Sequence, residues 1–212
     1  MVDEARLRDD MYRWGRSLFE RGLTPGASGN LSARLDDGFL VTPTNACLGF
    51  LEPSRLSKLD FEGRPVSGDP PTKEVPLHKA IYDARPNAGG VVHLHSSWAT
   101  ALSCLGDLDP ANALPPVTPY VVMRVGRVPV VPYLRPGSPA MREPVLAAAR
   151  DHAAILLANH GPVVAAPTFE AAVFAAEEVE EAAKLYFITR ALPVNALSAD
   201  QIAELEANFR LR

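Results

Sequence analysis

The sequence predicts a single α/β domain of the α+β type, in which helices cover both faces of a central, mostly antiparallel sheet. Segments with strand character alternate with segments of helical periodicity along the chain, and several strands are joined by short turns typical of hairpins. The 212 residues contain no internal repeat and no linker. This length suits one large domain, so we expect residues 1–212 to form a single domain.

The N-terminal half begins with a helix and continues into a hairpin. Apolar residues recur at helical spacing and predict a helix over 4–20 that stops before Gly22; they are Leu7, Met11, Trp14 and Leu18. Asp36-Asp37-Gly38 is a hairpin signal between strands at 31–34 and 39–42. Thr72 is placed to cap a helix from about Glu74 to Ala84.

The C-terminal half alternates strands and helices in the same way. Prolines are frequent in residues 110–139, which predicts ordered loop and short strand there rather than helix. On the longest helix, capped by Thr168, we expect Glu180 to lie on a solvated face and to pair with Lys184. The other expected elements are strands at 90–95, 128–131, 153–158 and 163–166, and helices at 98–105, 138–150, 168–190 and 198–209.

Composition excludes several classes of protein. The formal net charge is −4 without a block of basic residues, so nucleic acid is not an expected partner. No segment approaches the roughly 20 apolar residues of a membrane span, and no apolar segment typical of a signal peptide follows the N-terminus. Two cysteines cannot build a disulfide framework, which favours a reducing compartment. We expect a soluble, cytoplasmic protein without a membrane partner.

The segment Val91-Val92-His93-Leu94-His95 carries the strongest functional signal. Side chains alternate along a strand, so His93 and His95 point to the same face and could chelate one divalent cation. A third histidine and a carboxylate would complete a site typical of zinc, and His160 and Glu74 are candidates. The alternative is a pair of half-buried histidines, each bonded to the backbone. His78, on a helix flank, and His152, at a helix-to-strand turn, are expected to be structural.

Several short motifs follow one another in a recognisable order; they are Gly29-Asn30, Thr42-Pro43-Thr44, Lys73-Glu74, His93-Leu94-His95 and Asn159-His160-Gly161. In this order of motifs the chain resembles the class II aldolase/adducin family, from about Arg13 to Phe187. The longer stretches 42–49, 56–58, 71–75, 93–104, 118–124 and 157–164 make it most similar, within the family, to the 3-oxo-tetronate 4-phosphate decarboxylases.

The resemblance implies a metal centre and a class of reaction. Glu74, His93, His95 and His160 would hold Zn²⁺, with Mn²⁺ or Co²⁺ also possible. Glu74 would also act as acid/base, and it stands where a carboxylate favours a helix dipole. Tyr120 would be the catalytic tyrosine that reaches the active site of a neighbouring subunit; the alternative is a loop aromatic packed on the core. The family implies a homotetramer with sites at subunit interfaces.

The resemblance also implies a pocket for a phosphate group. The residues at its positions are Asn30, Thr44, Asn45, Thr72 and Lys73. From spacing alone, Ser28-Gly29-Asn30 reads as a plain tight turn. The chain departs from the aldolase pattern at Asn45, which replaces a usual glycine, and at Lys73, which replaces a serine. A cation at Lys73 would suit a substrate with a carboxylate as well as a phosphate, although Lys73 could be a surface lysine.

The function that these features imply is a metal-dependent lyase that cleaves a carbon–carbon bond beta to a ketone through a zinc-stabilised enediolate. The substrate would be a small sugar-acid or sugar phosphate. Decarboxylation of 3-oxo-tetronate 4-phosphate to dihydroxyacetone phosphate and CO₂ is favoured. The alternatives are a sugar-phosphate aldolase of the fuculose-phosphate type, a ribulose-phosphate 4-epimerase, and a non-catalytic scaffold like the adducin head domain.

Overall fold

The computed structural model describes residues 2–209, and an eight-stranded sheet is the centre of that region. The spatial order of the strands is β4-β3-β2-β1-β5-β8-β7-β6. Each neighbouring pair is antiparallel except β6 and β7. The strands are β1 (Asn30–Leu35), β2 (Gly38–Val41), β3 (Ser57–Leu59), β4 (Pro65–Ser67), β5 (Gly90–His93), β6 (Val130–Val131), β7 (Ala154–Leu157) and β8 (Gly161–Ala166).

Helices cover both faces of this sheet, as predicted. They are α1 (Glu4–Glu20), α2 (Val75–Ala84), α3 (Ser97–Ser103), α4 (Pro119–Arg124), α5 (Arg142–Asp151), α6 (Phe169–Thr189) and α7 (Ala199–Asn208). Val92 belongs to the core shared with α1, α3, α4 and α6, whereas its neighbour Val91 belongs to the core shared with α2 and α5. The alternation of side chains on β5 therefore supplies two cores from one strand.

Several local predictions are confirmed. β1 and β2 form the hairpin around Asp36 and Asp37, with Leu35 opposite Gly38. The Thr168 hydroxyl accepts the N–H of Ala171 at 3.1 Å and starts α6. β7 and β8 form the second hairpin.

No helix in the described range combines the length and the apolar character required to cross a bilayer.

Four elements differ from the prediction. The proline-rich region contains the short helix α4, because Pro119 occupies its first turn and the Thr118 hydroxyl accepts the N–H of Val121. Proline is tolerated at that position, where its missing N–H has no partner to lose. β3 and β4 were not predicted, since three residues each are too few to show alternation. β5 ends at His93, two residues before the predicted end.

Glu180 corrects another prediction. Its carboxylate is buried and accepts the backbone N–H groups of Trp98 at 2.9 Å and Ala99 at 2.8 Å. These groups begin α3, which packs against α6 and presents the positive end of its dipole to the carboxylate. Lys184 lies 3.5 Å from Glu181 instead. The predicted solvated pair of Glu180 and Lys184 is therefore wrong.

Candidate metal centre

Three histidines meet at one edge of the sheet because of the strand order. His93 is the last residue of β5, and His95 follows two residues later. β8 pairs with β5 so that Val163 lies opposite His93. His160 immediately precedes β8, in the turn that connects it to β7. The antiparallel register therefore brings the end of β5 and the start of β8 together.

The imidazole nitrogens converge on one point. His93 Nε2 lies 3.1 Å from His95 Nε2 and 3.2 Å from His160 Nε2. Nitrogens bound tetrahedrally to zinc at about 2.0–2.1 Å stand about 3.3 Å apart. His93 Nδ1–H donates to the carbonyl oxygen of Pro162 at 2.8 Å, which leaves the Nε2 lone pair of the neutral ring facing the other two histidines.

Glu74 supplies the carboxylate expected at this centre. It stands immediately before α2, where the Thr72 hydroxyl accepts its backbone N–H at 3.3 Å. Its Oε2 lies 3.5 Å from His93 Nε2, and its Oε1 lies 3.6 Å from His160 Nε2. Oε1 is enclosed and has no hydrogen-bond partner in the part of the chain that the structure describes. An unpartnered carboxylate oxygen beside three imidazole lone pairs is a donor set that a divalent cation fits.

Burial keeps these histidines in the neutral form that binds metals. It is the largest cause that lowers the pKa of each of His93, His95 and His160. A second charged imidazole would repel the first, which lowers the pKa of His93 further. The positive charge of Lys73 lowers the pKa of both His95 and His160. Neutral imidazoles near pH 7 offer their lone pairs without first losing a proton.

Two glycines allow the backbone to close around the ligands. A Cβ on Gly29, where φ is +75°, would meet the carbonyl oxygen of His93 at 2.9 Å. A Cβ on Gly161, where φ is +148°, would meet the carbonyl oxygen of Leu94 at 2.5 Å. Both glycines therefore permit a close approach to the end of β5 that a larger residue would prevent.

The five residues predicted to bind phosphate line one cavity of about 440 Å³ beside the histidines; they are Asn30, Thr44, Asn45, Thr72 and Lys73. Backbone hydrogen bonds from Thr44 to Pro70 and from Thr72 to Thr42 hold the two loops against each other. Asn45 has φ of +55°, a left-handed conformation that asparagine tolerates better than most residues. This conformation explains how asparagine can replace the usual glycine.

Lys73 is the single Lys or Arg among the described residues that line this cavity. Its side chain is exposed, and its charge acts on His95 and His160. The lysine therefore stands beside the metal centre and faces the space available to a substrate.

Tyr120 does not line the cavity beside the histidines. It is 54% exposed on α4, with the guanidinium of Arg124 5.6 Å from the centre of its ring. It is not among the described residues that line the cavity of its own chain. Its catalytic role from a neighbouring subunit stays a prediction.

Three further residues line the cavity, and the sequence did not identify them as cavity residues. Thr100, Tyr133 and Asn159 line it, and Tyr133 is exposed rather than packed in the core. Asn159 could have been found from its place beside His160, at φ of +56° in the turn. Thr100 lies within the stretch 93–104 that carries the resemblance, but no sequence signal marks Thr100 or Tyr133 as a cavity residue, and only the packing of their segments reveals them.

His78 is more than a residue on a helix flank. Its ring is completely buried and hydrogen-bonded to Ser32 and Asn30. His152 ends α5 at the turn before β7, as expected. Neither joins the group of histidines that could hold a metal ion, which comprises His93, His95 and His160 in the described region.

Comparison with known proteins identifies relatives along nearly the whole chain. The class II aldolase and adducin N-terminal domain family matches residues 9–187. The 3-oxo-tetronate 4-phosphate decarboxylase of Escherichia coli K12 is 51% identical over 205 residues, covering 96% of this chain and 97% of the relative. The L-fuculose phosphate aldolase of the same strain is 35% identical, covering 89% of this chain and 87% of the relative.

A solved structure shows the same architecture. YgbL from Klebsiella pneumoniae, described as an aldolase, epimerase or decarboxylase, superimposes with a TM-score of 0.94 at 48% identity. The match covers 97% of this chain and 100% of the other. The family match, these relatives and the shared fold agree: this chain belongs to the class II aldolase and adducin family.

Proposed function

We propose that this protein is a divalent-metal-dependent lyase that decarboxylates 3-oxo-tetronate 4-phosphate to dihydroxyacetone phosphate and CO₂. The observation that carries the proposal is the convergence of three imidazoles and Glu74 beside a cavity that contains Lys73. The 51% identical relative named for this decarboxylation supports the choice of substrate. A lyase that uses a divalent metal is also what the family implies.

The reaction breaks the bond between carbons 1 and 2 of the substrate. The electron pair of that bond moves toward the ketone at carbon 3, and CO₂ leaves. Protonation of carbon 2 then completes dihydroxyacetone phosphate. A bound divalent cation supplies Lewis-acid stabilisation of negative charge on oxygen. We propose Zn²⁺, with Mn²⁺ and Co²⁺ able to use the same ligands, which are His93, His95, His160 and Glu74.

The chain's own residues orient the substrate. We propose that the phosphate lies against the loops of Asn30, Thr44, Asn45 and Thr72, where backbone N–H groups at turns and at the start of α2 favour anions. Lys73 would attract the carboxylate, or the phosphate, in a cavity with otherwise neutral or acidic walls. Its position near the histidines puts that charge close to the reacting carbons.

Two groups could deliver the proton to carbon 2. Glu74 lies within the centre, and its carboxylate can carry a proton when it is not a ligand. Tyr120 is exposed on α4 and could reach the cavity of a neighbouring subunit.

We therefore propose a homotetramer with sites between subunits. Two free cysteines, Cys47 and Cys104, fit the reducing conditions of the cytoplasm.

Other members of the family carry out related reactions. An aldolase would break a carbon–carbon bond beside the same kind of ketone, and the 35% identical relative has that activity in its name. We place the aldolase and the 4-epimerase behind the decarboxylase because the more similar relative is named as a decarboxylase. A scaffold without metal would have no need of four converging ligands.

The deciding experiment supplies purified, zinc-loaded protein with 3-oxo-tetronate 4-phosphate. We expect CO₂ release matched by equal dihydroxyacetone phosphate, measured with a coupled dehydrogenase. L-Fuculose 1-phosphate is the comparison substrate, and metal content is measured on the same sample. Brisk cleavage of fuculose 1-phosphate without CO₂ release would replace the decarboxylase with an aldolase. Protein that neither retains metal nor acts on either substrate would indicate a scaffold.

A further inference from the structure

A buried chain of hydrogen bonds leads from the core to the carboxylate of Glu74. We name it the α2–β1 polar chain, comprising Tyr82, Ser32, His78 and Asn30. The Ser32 hydroxyl lies 2.9 Å from the Tyr82 hydroxyl and 2.7 Å from His78 Nδ1. His78 Nε2 lies 2.5 Å from Asn30 Oδ1, and Asn30 Nδ2 lies 2.7 Å from Glu74 Oε2.

The α2–β1 polar chain takes its side chains alternately from the helix and from the strand. Asn30 and Ser32 are two residues apart on β1 and share a face of the sheet. His78 and Tyr82 are four residues apart on α2 and share a face of that helix. All four side chains are 6% exposed or less. The chain therefore lies between sheet and helix, where buried polar groups must satisfy each other.

The chemistry of the four groups fixes the direction of the chain. The carboxylate of Glu74 accepts from Asn30 Nδ2, so Oδ1 of the same amide faces His78. Oδ1 can only accept, so His78 Nε2 carries a proton and donates it. Burial, with a smaller contribution from the charge of a protonated His93, lowers the pKa of His78 to about 3. The neutral ring then accepts at Nδ1 from the Ser32 hydroxyl. The oxygen of Ser32 in turn accepts from the Tyr82 hydroxyl.

The carboxylate at the end of this series determines which way the amide of Asn30 points. The NH₂ group of Asn30 faces Glu74 and donates to its carboxylate, and Oδ1 accepts from His78. In the flipped amide, Oδ1 would face the carboxylate oxygen, and that contact would be repulsive whichever tautomer His78 adopts. A buried acceptor without a partner costs about 1–3 kcal/mol, so the flipped form is disfavoured.

We propose that His78 is a positioning residue, which acts through Asn30 to hold the Glu74 carboxylate in its orientation toward the histidines. Oε2 is occupied by the amide of Asn30, and the unpartnered Oε1 is left beside His160. The inference rests on the proposed function only in taking Glu74 as a metal ligand. It assigns no contact between His78 and the substrate.

The first test observes the tautomer of His78 directly. The ¹⁵N-labelled protein without metal is measured by long-range ¹H–¹⁵N correlation between pH 6 and 8, and the signals are assigned with a His78→Gln variant. We expect His78 to carry its proton at Nε2 and to keep Nδ1 unprotonated throughout this range. A proton at Nδ1 would reverse the direction of the chain and overturn the proposal.

The second test measures the metal centre with Zn²⁺ and Co²⁺ alone. His78→Leu removes the donor to Asn30, and we expect it to weaken Zn²⁺ binding about ten-fold, as the loss of an outer-shell partner does elsewhere. It should also change the visible absorption of the Co²⁺-loaded protein. His78→Gln can still donate to Asn30 and should recover most of the affinity. Tyr82→Phe, at the far end of the chain, leaves the Ser32 donor in place and is the matched control.

The outcomes distinguish this inference from the proposed function. A folded His78→Leu variant with the parent's Zn²⁺ affinity and Co²⁺ spectrum would overturn the positioning role. If His78→Gln and Tyr82→Phe each lost as much Zn²⁺ affinity as His78→Leu, the positioning role would be overturned too, because such a result would indicate a general packing effect. If His78→Leu does not fold, the tautomer and the His78→Gln affinity still decide. None of these readouts requires decarboxylation, so failure of the activity assay alone leaves the inference standing.

Discussion

Individual residues at the metal centre combine two requirements that conflict in most buried sites. The histidines must lie out of water to exclude competing ligands, yet each ring has two nitrogens that need partners. His93 meets both requirements, since Nδ1–H donates to the Pro162 carbonyl and Nε2 faces the centre. Lys73 adds a positive charge next to neutral rings. Two substitutions separate metal binding from substrate choice.

His95→Ala should remove the metal while leaving a folded protein. His95 is half-buried and follows the end of β5, so its loss disturbs the core less than loss of the completely buried His93. We expect activity to fall by at least about 10³-fold, as when preorganised charge stabilisation is removed. Zinc content and thermal unfolding check the result, with His152→Ala as a control histidine outside the centre. Stoichiometric zinc in the variant would mean that the ligand set is wrong.

Lys73→Ser should change selectivity. Loss of a cation that faces the substrate carboxylate removes an interaction of about 1.5–3 kcal/mol. We expect kcat/KM for 3-oxo-tetronate 4-phosphate to fall about 10- to 100-fold, with a smaller loss for neutral sugar phosphates. Lys79→Ser is the matched control, because Lys79 pairs with Asp83 on the surface of α2. An equal loss for acidic and neutral substrates would leave Lys73 without a role in selectivity.

The candidate metal ligands lie at or next to the ends of secondary-structure elements. β5 ends at His93, β8 begins after His160, and α2 begins after Glu74, so three of the four candidate ligands stand at element ends. The start of α3 follows His95 directly and is held by the carboxylate of Glu180 from α6. The short helix α3, beside the site, is thereby anchored to α6 within the core that the two helices share.

Glu180→Ala should loosen this anchor. Two backbone N–H groups at the start of α3 would lose a charged acceptor in a buried position. We expect the free energy of unfolding to fall by about 2–3 kcal/mol, measured by urea denaturation. Glu181→Ala, on the exposed side of α6, should have little effect. Equal destabilisation by both substitutions would contradict the anchoring role.

The whole molecule is organised by one sheet that separates two cores. Neighbouring residues of β5 enter different cores, so neither core can form without the strand they share. This arrangement supports the prediction that the chain is one domain, which stays a prediction. The α2–β1 polar chain crosses from sheet to helix inside one core, and its buried histidine links the stability of the whole fold to pH.

Stability without metal should decrease as pH falls below about 6.5. Burial lowers the pKa of His78 to about 3 in the folded state, from about 6.5 in the unfolded chain. The unfolded chain therefore binds the extra proton, and stability is full above pH 6.5 and is lost toward pH 3. The contribution of one such group approaches about 1.4 kcal/mol per pH unit. Urea denaturation at pH 7 and 5 should show a smaller decrease for His78→Gln than for the parent; equal decreases would contradict this origin.

Much of the fold could be predicted from the sequence because its causes are local. Alternation along an extended segment predicted that His93 and His95 share a face, and their imidazoles do meet although β5 ends at His93. The hydroxyls of Thr168 and Ser198 cap helices a few residues away. Resemblance to the family predicted four metal ligands and five residues of the phosphate pocket, and the structure brings these nine residues together.

The remaining features depended on contacts between distant parts of the chain. Glu180 and Trp98 are 82 residues apart, and Asn30 and Glu74 are 44 apart. The periodicity of one segment cannot say which polar group of another segment will meet it in the core. The sequence by itself determined most of the helices, the hairpins and the paired histidines. Only the tertiary structure decided that Glu180 is buried against α3 and that His78 is bonded to Asn30, because both follow from packing between elements that are distant in the sequence.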